Sequence, residues 1–181
     1  MSMHAPARCS TPRRRRAAPW LVWMALLLMA MELGGSLYER LVLDPAWPDN
    51  MALIQPDGGG VNRKVFWMPL HGFVMLLLPV ALWASWSNRP VRRWLLTATG
   101  IYAAMRSWTF AYFVPRAMRF EDAAVDANAL AGEARDWVLL SALRTPMIVA
   151  TVAALWLATR QLDRSLSSST ALPEYDTEAA P

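Results

Sequence analysis

The chain has very little cysteine, lysine or histidine. Cys9 is its single cysteine, Lys64 its single lysine, and His4 and His71 are its two histidines. A lone cysteine excludes an internal disulfide bond, and so few nitrogen and sulfur ligands argue against a zinc, copper or haem site. The sequence also lacks a phosphate-binding loop, a dinucleotide fingerprint, a nucleophile elbow and a metalloprotease motif. We therefore predict no metal and no cofactor.

Apolar residues are abundant instead. Hydrophobic residues make up 55% of the 181 positions, and ten of them are tryptophan, whereas a soluble domain usually contains about 45–50% apolar residues. The length suits one compact membrane bundle and leaves no room for an additional soluble catalytic domain. The composition predicts an all-α integral membrane protein with one domain.

Four apolar stretches are long enough to cross a bilayer, because about 20 residues at ~1.5 Å rise per residue cover its ~30 Å hydrocarbon core. They cover about residues 20–43, 65–86, 94–113 and 137–159. We predict a four-helix transmembrane bundle over residues 20–160 between disordered tails at 1–19 and 161–181. In the loop after the first span, Trp47 is predicted to anchor in the interface rather than fold back as a lid.

The arginines predict the topology. They cluster at Arg13–Arg16, at 89–93 between the second and third spans, and at Arg160 and Arg164 after the fourth. By the positive-inside rule, both termini are expected in the cytoplasm, with the protein multi-pass in the inner (plasma) membrane. Beside an apolar span, the N-terminal arginines indicate a topology signal rather than nucleic-acid binding. A cleaved signal peptide is the alternative interpretation, but Glu32 lies where small residues are required.

The ionisable residues inside the spans are predicted to lie in their outer half. At ~1.5 Å per residue, Glu39 and His71 are roughly 6–7 Å deep, Arg106 and Arg144 about 10 Å deep, and Glu32 near the midplane. Charges in hydrocarbon are costly, so structural pairing of the arginines with the glutamates is one interpretation. We favour a functional pocket that opens outward. The catalytic candidates are His71, Glu39, Arg106 and Arg144, and the substrate-binding candidates are Glu32, Tyr38, Tyr102 and Ser141.

Short motifs carry a resemblance to a known family. Gly34–Glu39 is followed by Val42, Pro45 and Trp47, and further matches are Phe113, Val114, Pro115, Trp137, Ser141, Arg144 and Thr145. Here the sequence resembles small bacterial four-helix membrane proteins of unknown function that are grouped with the fungal anthrone oxygenases. The resemblance covers residues 20–159 and implies a four-helix bundle that oxidises an aromatic anthrone to an anthraquinone without a cofactor. In such a reaction His71 or Glu39 would remove a proton from the activated methylene, and Arg106 or Arg144 would stabilise the anion.

Two other functions are compatible with these residues. A non-catalytic accessory protein that binds a lipid, a quinone or a partner subunit is favoured by the even balance of glutamate and arginine, which permits internal pairing. A small multidrug-type transporter is suggested by Glu32 near the middle of the first span, but long outer loops and a strong arginine bias argue against it. The expected partners are membrane lipid and a hydrophobic small molecule, without nucleic acid. The sequence does not specify an oligomeric state.

Overall fold

Four long helices form the body of the protein. The computed structural model describes residues 12–122, 124 and 126–170. The long helices are α1 (Pro12–Tyr38), α2 (Lys64–Ala84), α3 (Arg89–Trp108) and α6 (Arg144–Thr170), with two shorter helices, α4 (Val114–Phe120) and α5 (Ala127–Ser141), between α3 and α6. The described residues contain no β-strand. The predicted all-α four-helix class is therefore confirmed.

Two of the long helices continue into π-helical turns at the same end of the bundle. Residues Glu39–Leu43 extend α1, and Thr109–Phe113 link α3 to α4. Pro115, just beyond the predicted end of the third span at residue 113, lies at the start of α4, where a missing N–H costs nothing. Helical backbone therefore continues beyond the predicted end of the span.

The four long helices pack around an inner core. Helices α1 and α3 each pack against both α2 and α6. The inner core contains small and branched side chains from all four helices, among them Val22, Met29, Val74, Leu95, Met105 and Leu155. Few polar groups lie in this core, so little hydrogen-bonding capacity is lost when its side chains are buried.

A second cluster, the capping cluster, closes the end of the bundle opposite to the start of α1. It consists of Trp47, Met51, Ile54, Phe113, Phe120, Leu130, Ala134 and Trp137. Trp47 is fully buried, and its ring lies 5.4 Å from Phe120 and 5.7 Å from Trp137. The expectation that Trp47 anchors in the interface was wrong, because these aromatic partners bury it more completely. Residues 44–63 fold back over the bundle in short 3-10 turns.

The exterior of the bundle is strongly apolar. Large side chains such as Trp20, Leu27, Phe73, Leu76 and Trp83 are exposed. Three described helical segments are long and apolar enough to cross a membrane: Ala17–Leu43, Lys64–Ala84 and Ala129–Ser165. Helix α3 is not among them, since it carries Arg89, Arg92, Arg93 and Arg106. These segments are the expected features of a membrane protein.

Several boundaries differ from the predicted ones. Helix α1 begins at Pro12, so residues 12–19 are helical where a disordered tail was expected, and α6 runs to Thr170. Alanine and arginine are good helix formers, and this composition lets α1 extend beyond its apolar stretch. The fourth predicted span is divided between α5 and α6 by a turn at residues 142–143. The remaining predicted tail segments, 1–11 and 171–181, lie outside the described residues.

Candidate functional site

A cavity of about 600 Å³ lies between the inner core and the capping cluster. Its wall includes Phe113 and Trp137 from the capping cluster and Ile148 from the inner core. The charged residues of the wall are Glu32, Glu39, Arg40, Asp44, Arg63, Lys64, Arg106, Glu121 and Arg144, together with His71. The cavity is thus mainly apolar, but nine charged residues and one histidine lie on its wall.

Glu32 lies on the floor of the cavity and connects two other helices. Its carboxylate is fully buried, and its Oε1 accepts a hydrogen bond of 2.8 Å from Arg106 Nη2. Its Oε2 lies 3.5 Å from His71 Nδ1, and neither of these two buried atoms has a hydrogen-bond partner among the described residues. If His71 carries its proton on Nδ1, this N–H can donate a hydrogen bond to Glu32 Oε2 once the two atoms move slightly closer together. The pair therefore favours one tautomer of His71, with Nε2 free to accept a proton.

Neighbouring rings fix the position of His71. The Trp67 ring stacks on the imidazole at a centroid distance of 5.1 Å and an angle of 20°. Tyr102 is buried beneath it and donates a hydrogen bond of 3.5 Å to the His71 carbonyl. The Tyr102 ring also lies 5.1 Å from the Arg106 guanidinium. Tyr102 thus supports the floor from below rather than lining the cavity.

Glu39 is held by Trp67 rather than by an arginine. Trp67 Nε1 donates a hydrogen bond of 2.7 Å to Glu39 Oε1. The contact requires α1 and α2 to approach closely at Gly35, where an added Cβ would lie 2.7 Å from Phe66 Cε1. The small residue at this position therefore places the Trp67 ring between Glu39 and His71.

Arg144 lines the cavity without an acidic partner. Its guanidinium lies 4.1 Å from the Phe113 ring centroid and 5.6 Å from that of Trp137, and Nη2 donates to Ser141 Oγ. Among the described residues, no carboxylate lies within 4 Å of its nitrogens, and its buried Nε has no hydrogen-bond partner. Arg144 is consequently a cation held by aromatic rings beside an apolar space.

The other wall charges are partnered. Glu121 pairs with Arg63 at 3.4 Å and with Lys64 at 2.7 Å, and Arg40 donates to the Val138 carbonyl. Asp44 Oδ1 accepts a hydrogen bond of 3.1 Å from Trp47 Nε1. Burial raises the pKa of the Asp44 carboxyl above its usual value, and the indole hydrogen bond opposes this only partly.

Both π-helical turns contribute directly to the wall. The turn after α1 supplies Glu39 and Arg40, and the turn after α3 supplies Thr109, Phe110 and Phe113. A π-turn inserts an extra residue into a helix and changes the direction of the side chains that follow it. These turns therefore place residues on the cavity that a regular helix would orient differently.

Most of the candidate residues share this cavity. Glu32, Glu39, His71, Arg106, Ser141 and Arg144 line it. Tyr102 lies beneath the floor, and Tyr38 lies outside the cavity with its side chain 63% exposed. The wall residues that sequence reasoning missed include Trp67, Asp44 and Arg63. Trp67 precedes His71 by four residues and so shares its helix face, which is a usable signal, whereas nothing local marks the other two.

The described residues contain no group of three or more histidine, cysteine, aspartate or glutamate side chains that could hold a metal ion. The chemistry of the wall is therefore that of carboxylates, one imidazole, guanidinium groups and the Lys64 ammonium. No protein-family model, curated protein or solved structure matches this chain.

Proposed function

We propose that this protein is a membrane-embedded four-helix enzyme that binds a hydrophobic aromatic molecule and oxidises an activated methylene group with molecular oxygen. The observation that carries the proposal is the pair formed by the fully buried Glu32 and the half-buried His71 on the floor of the cavity, next to Arg106. A histidine oriented by a carboxylate is suited to act as a general base. The resemblance to proteins grouped with anthrone oxygenases suggests an anthrone as the first substrate class to test.

The dimensions of the cavity support binding of a small aromatic molecule. Ligand pockets typically measure about 300–1,000 Å³ and are lined by apolar and aromatic side chains with a few polar groups. The volume here is about 600 Å³, and the wall includes Trp67, Phe110, Phe113 and Trp137. A tricyclic aromatic molecule fits this description.

The proposed reaction needs only oxygen as a second substrate. His71 Nε2 would take one methylene proton, while Glu32 stabilises the imidazolium that forms. Arg106 or Arg144 would stabilise the negative charge that spreads onto the ring carbonyl. The carbanion reduces oxygen, recovers a proton as a hydroperoxide, and loses water to give the ketone. The balance is one methylene and one O₂ converted to one carbonyl and one H₂O.

The proposed location is the inner membrane, with the cavity near the outer face and both termini in the cytoplasm. Arginines at the start of α3 and near the end of α6 support this orientation, since Asn88 and Ser165 are hydrogen-bonded at the same end of the bundle. The capping cluster would then cover the cavity on the outer side. Membrane lipid would surround the bundle.

A second candidate function is non-catalytic binding of a lipid, a quinone or another hydrophobic molecule. The observation that favours it is the 2.8 Å ion pair between Glu32 and Arg106, which already neutralises the buried carboxylate. Such an ion pair can join two helices of the bundle without taking part in any reaction.

Oxygen uptake by the detergent-purified protein tests the first candidate. With anthrone as substrate, the wild type should consume oxygen and form anthraquinone faster than the protein-free blank. His71→Gln should lower the rate by about 100-fold or more, because general-base catalysis typically contributes about 10²–10⁴-fold. Tyr38→Phe is the matched control, since Tyr38 lies outside the cavity, and its rate should equal that of the wild type.

The same preparation separates the two candidates. Binding of anthrones with oxygen uptake at the blank rate would overturn the enzymatic proposal and favour the binding protein. Unchanged activity of His71→Gln would refute the assigned base. Absence of any binding would contradict both candidates.

A further inference from the structure

The cavity wall is exposed along one side only. Met68 and Met75 of α2 are 68% and 44% exposed. On the α3–α4 side, Phe110 and Met118 are 56% and 62% exposed. All four residues nevertheless line the cavity. The lining residues from α1, α5 and α6 are buried or half-buried. The cavity therefore opens sideways, between α2 and the segment formed by α3 and α4.

This opening lies at the level of the apolar exterior. Phe73 and Leu76, on the same turns of α2, are exposed apolar residues in a segment suited to cross a membrane. Gly72 lies at the edge of the opening, and a Cβ added there would have no heavy atom within 4 Å. In a bilayer the opening would thus face hydrocarbon rather than water.

The aqueous side of the cavity is covered. Trp47 and Phe120 both pack edge to face against Trp137 above it, and the buried Arg63 pairs with Glu121 across the roof. Reaching the cavity from water would require these contacts to separate, whereas the lateral opening already exists.

The charge inside the cavity indicates what kind of molecule it holds. Arg106, Arg63 and Lys64 each pair with a carboxylate. Among the described residues, Arg40 and Arg144 have no carboxylate within 4 Å, but Arg40 donates to the Val138 carbonyl, whereas Nε of Arg144 has no hydrogen-bond partner. Glu39, Asp44 and Glu32 act on Arg144 only from beyond ion-pair distance, so an anionic group in the cavity would supply a close counter-charge and accept hydrogen bonds from the guanidinium. The rings of Phe110, Phe113 and Trp137 beside it favour a planar aromatic body over an alkyl chain.

We infer that the cavity takes up an aromatic carboxylate from the bilayer through the opening between α2 and α3–α4, and that Arg144 binds its acid group. The inference rests on the proposed membrane location and binding cavity. It adds the route by which the molecule arrives and the charge that it carries.

Binding to the full-length protein in lipid nanodiscs tests the inference without any turnover. The probes are 9-anthracenecarboxylate and its neutral analogue 9-anthracenemethanol, followed by anthracene fluorescence anisotropy. The wild type should bind the acid about 10- to 100-fold more tightly than the alcohol, as expected for a hydrogen bond between charged groups. Arg144→Gln should remove this preference, and Arg144→Lys should restore part of it.

Gly72→Leu tests the route. Leucine at this position would project into the opening, so association of the acid should slow by at least about tenfold. Gly100→Leu is the matched control, because Gly100 lies on α3 away from the cavity and also has nothing within 4 Å of an added Cβ. It should bind the acid at the wild-type rate.

Several results would overturn the inference. These are wild-type association rates in Gly72→Leu, a preference for the acid that persists in both Arg144 variants, or palmitate binding as tightly as the aromatic acid. Tight binding of the acid without oxidation of anthrones would leave the inference standing and remove the enzymatic proposal. Oxidation of neutral anthrones without any preference for the acid would support the enzymatic proposal and overturn the inference.

Discussion

Two arginines on the cavity wall lie in different electrostatic environments. Arg106 is buried and paired with the fully buried Glu32, whereas Arg144 lies against aromatic rings with no carboxylate of the described residues within 4 Å. Removing one member of a buried pair leaves an uncompensated charge in a medium of low dielectric constant, but removing an unpaired cation does not. The two residues should therefore differ in their effects on stability.

Arg106→Gln should lower the free energy of unfolding by about 3–5 kcal/mol, because the buried Glu32 carboxylate would lose its cationic partner. Arg144→Gln should cost about 1–2 kcal/mol, the range of a partly desolvated cation–π contact. Denaturant unfolding in detergent, monitored by tryptophan fluorescence, measures both values. The double variant Glu32→Gln with Arg106→Gln should cost less than the sum of the two single changes. Equal losses in Arg106→Gln and Arg144→Gln would contradict this distinction.

Asp44 should make stability depend on pH. Because burial raises the pKa of its carboxyl, the folded protein binds the proton more tightly than the unfolded chain, and stability falls as pH rises between the ordinary and the raised pKa. Asp44→Asn keeps an acceptor for Trp47 and cannot ionise. We expect this variant to unfold at a higher temperature than the wild type at pH 7 and at the same temperature below pH 3.8, the ordinary pKa. Lower stability of the variant at pH 7 would mean that the neighbouring arginines hold Asp44 ionised.

At the scale of helices, the contact between α1 and α2 positions the site. Gly35 allows the rings of Phe66 and Trp67 to approach α1, and the Trp67 ring then reaches both Glu39 and His71. Gly34, one residue earlier, has nothing within 4 Å of an added Cβ. The adjacent glycines thus differ in function: one makes room for the neighbouring helix and the other does not.

Gly35→Ala should destabilise the protein by about 1–3 kcal/mol, because the new methyl group overpacks the helix contact. Gly34→Ala should be neutral or stabilise by up to about 1 kcal/mol through helix propensity. The free energy of unfolding measures both effects, and ligand binding by Gly35→Ala should also weaken as Trp67 moves. Equal effects of the two changes would show that α1 and α2 do not pack as described.

At the scale of the whole molecule, an apolar exterior surrounds a cavity that lies towards one end and carries charged side chains on a mainly apolar wall. Such an exterior is suited to contact with lipid, since large apolar patches in water promote association. In the proposed topology, the uneven distribution of arginine between the two ends would set the orientation in the membrane.

Labelling of cysteines with an impermeant maleimide tests this orientation. In a Cys9→Ser background, Gly58→Cys in the loop before α2 should be labelled in intact spheroplasts, because an added Cβ there lies in open space. Ser87→Cys, at the exposed connection between α2 and α3, should be labelled only after permeabilisation. Native Cys9 in the wild type should behave like Ser87→Cys. Labelling of all three from outside would contradict the proposed topology.

Residue type and spacing alone were sufficient to predict the helical class of this protein. Apolar stretches of about 20 residues specify long helices, and the high cost of buried charge implies that polar residues within them gather on a common side. The four-helix class follows from that physics, as does the expectation that Glu32, Glu39, His71, Arg106 and Arg144 lie together.

Only the tertiary structure decided which of these residues meet. Arg106 pairs with Glu32, Glu39 bonds to an indole, and Arg144 is left beside aromatic rings. These outcomes depend on the rotation of each helix, on two π-turns that reorient the side chains after α1 and α3, and on a loop that folds back to bury Trp47. None of these has a local signature, because each results from packing between segments that are distant in the chain.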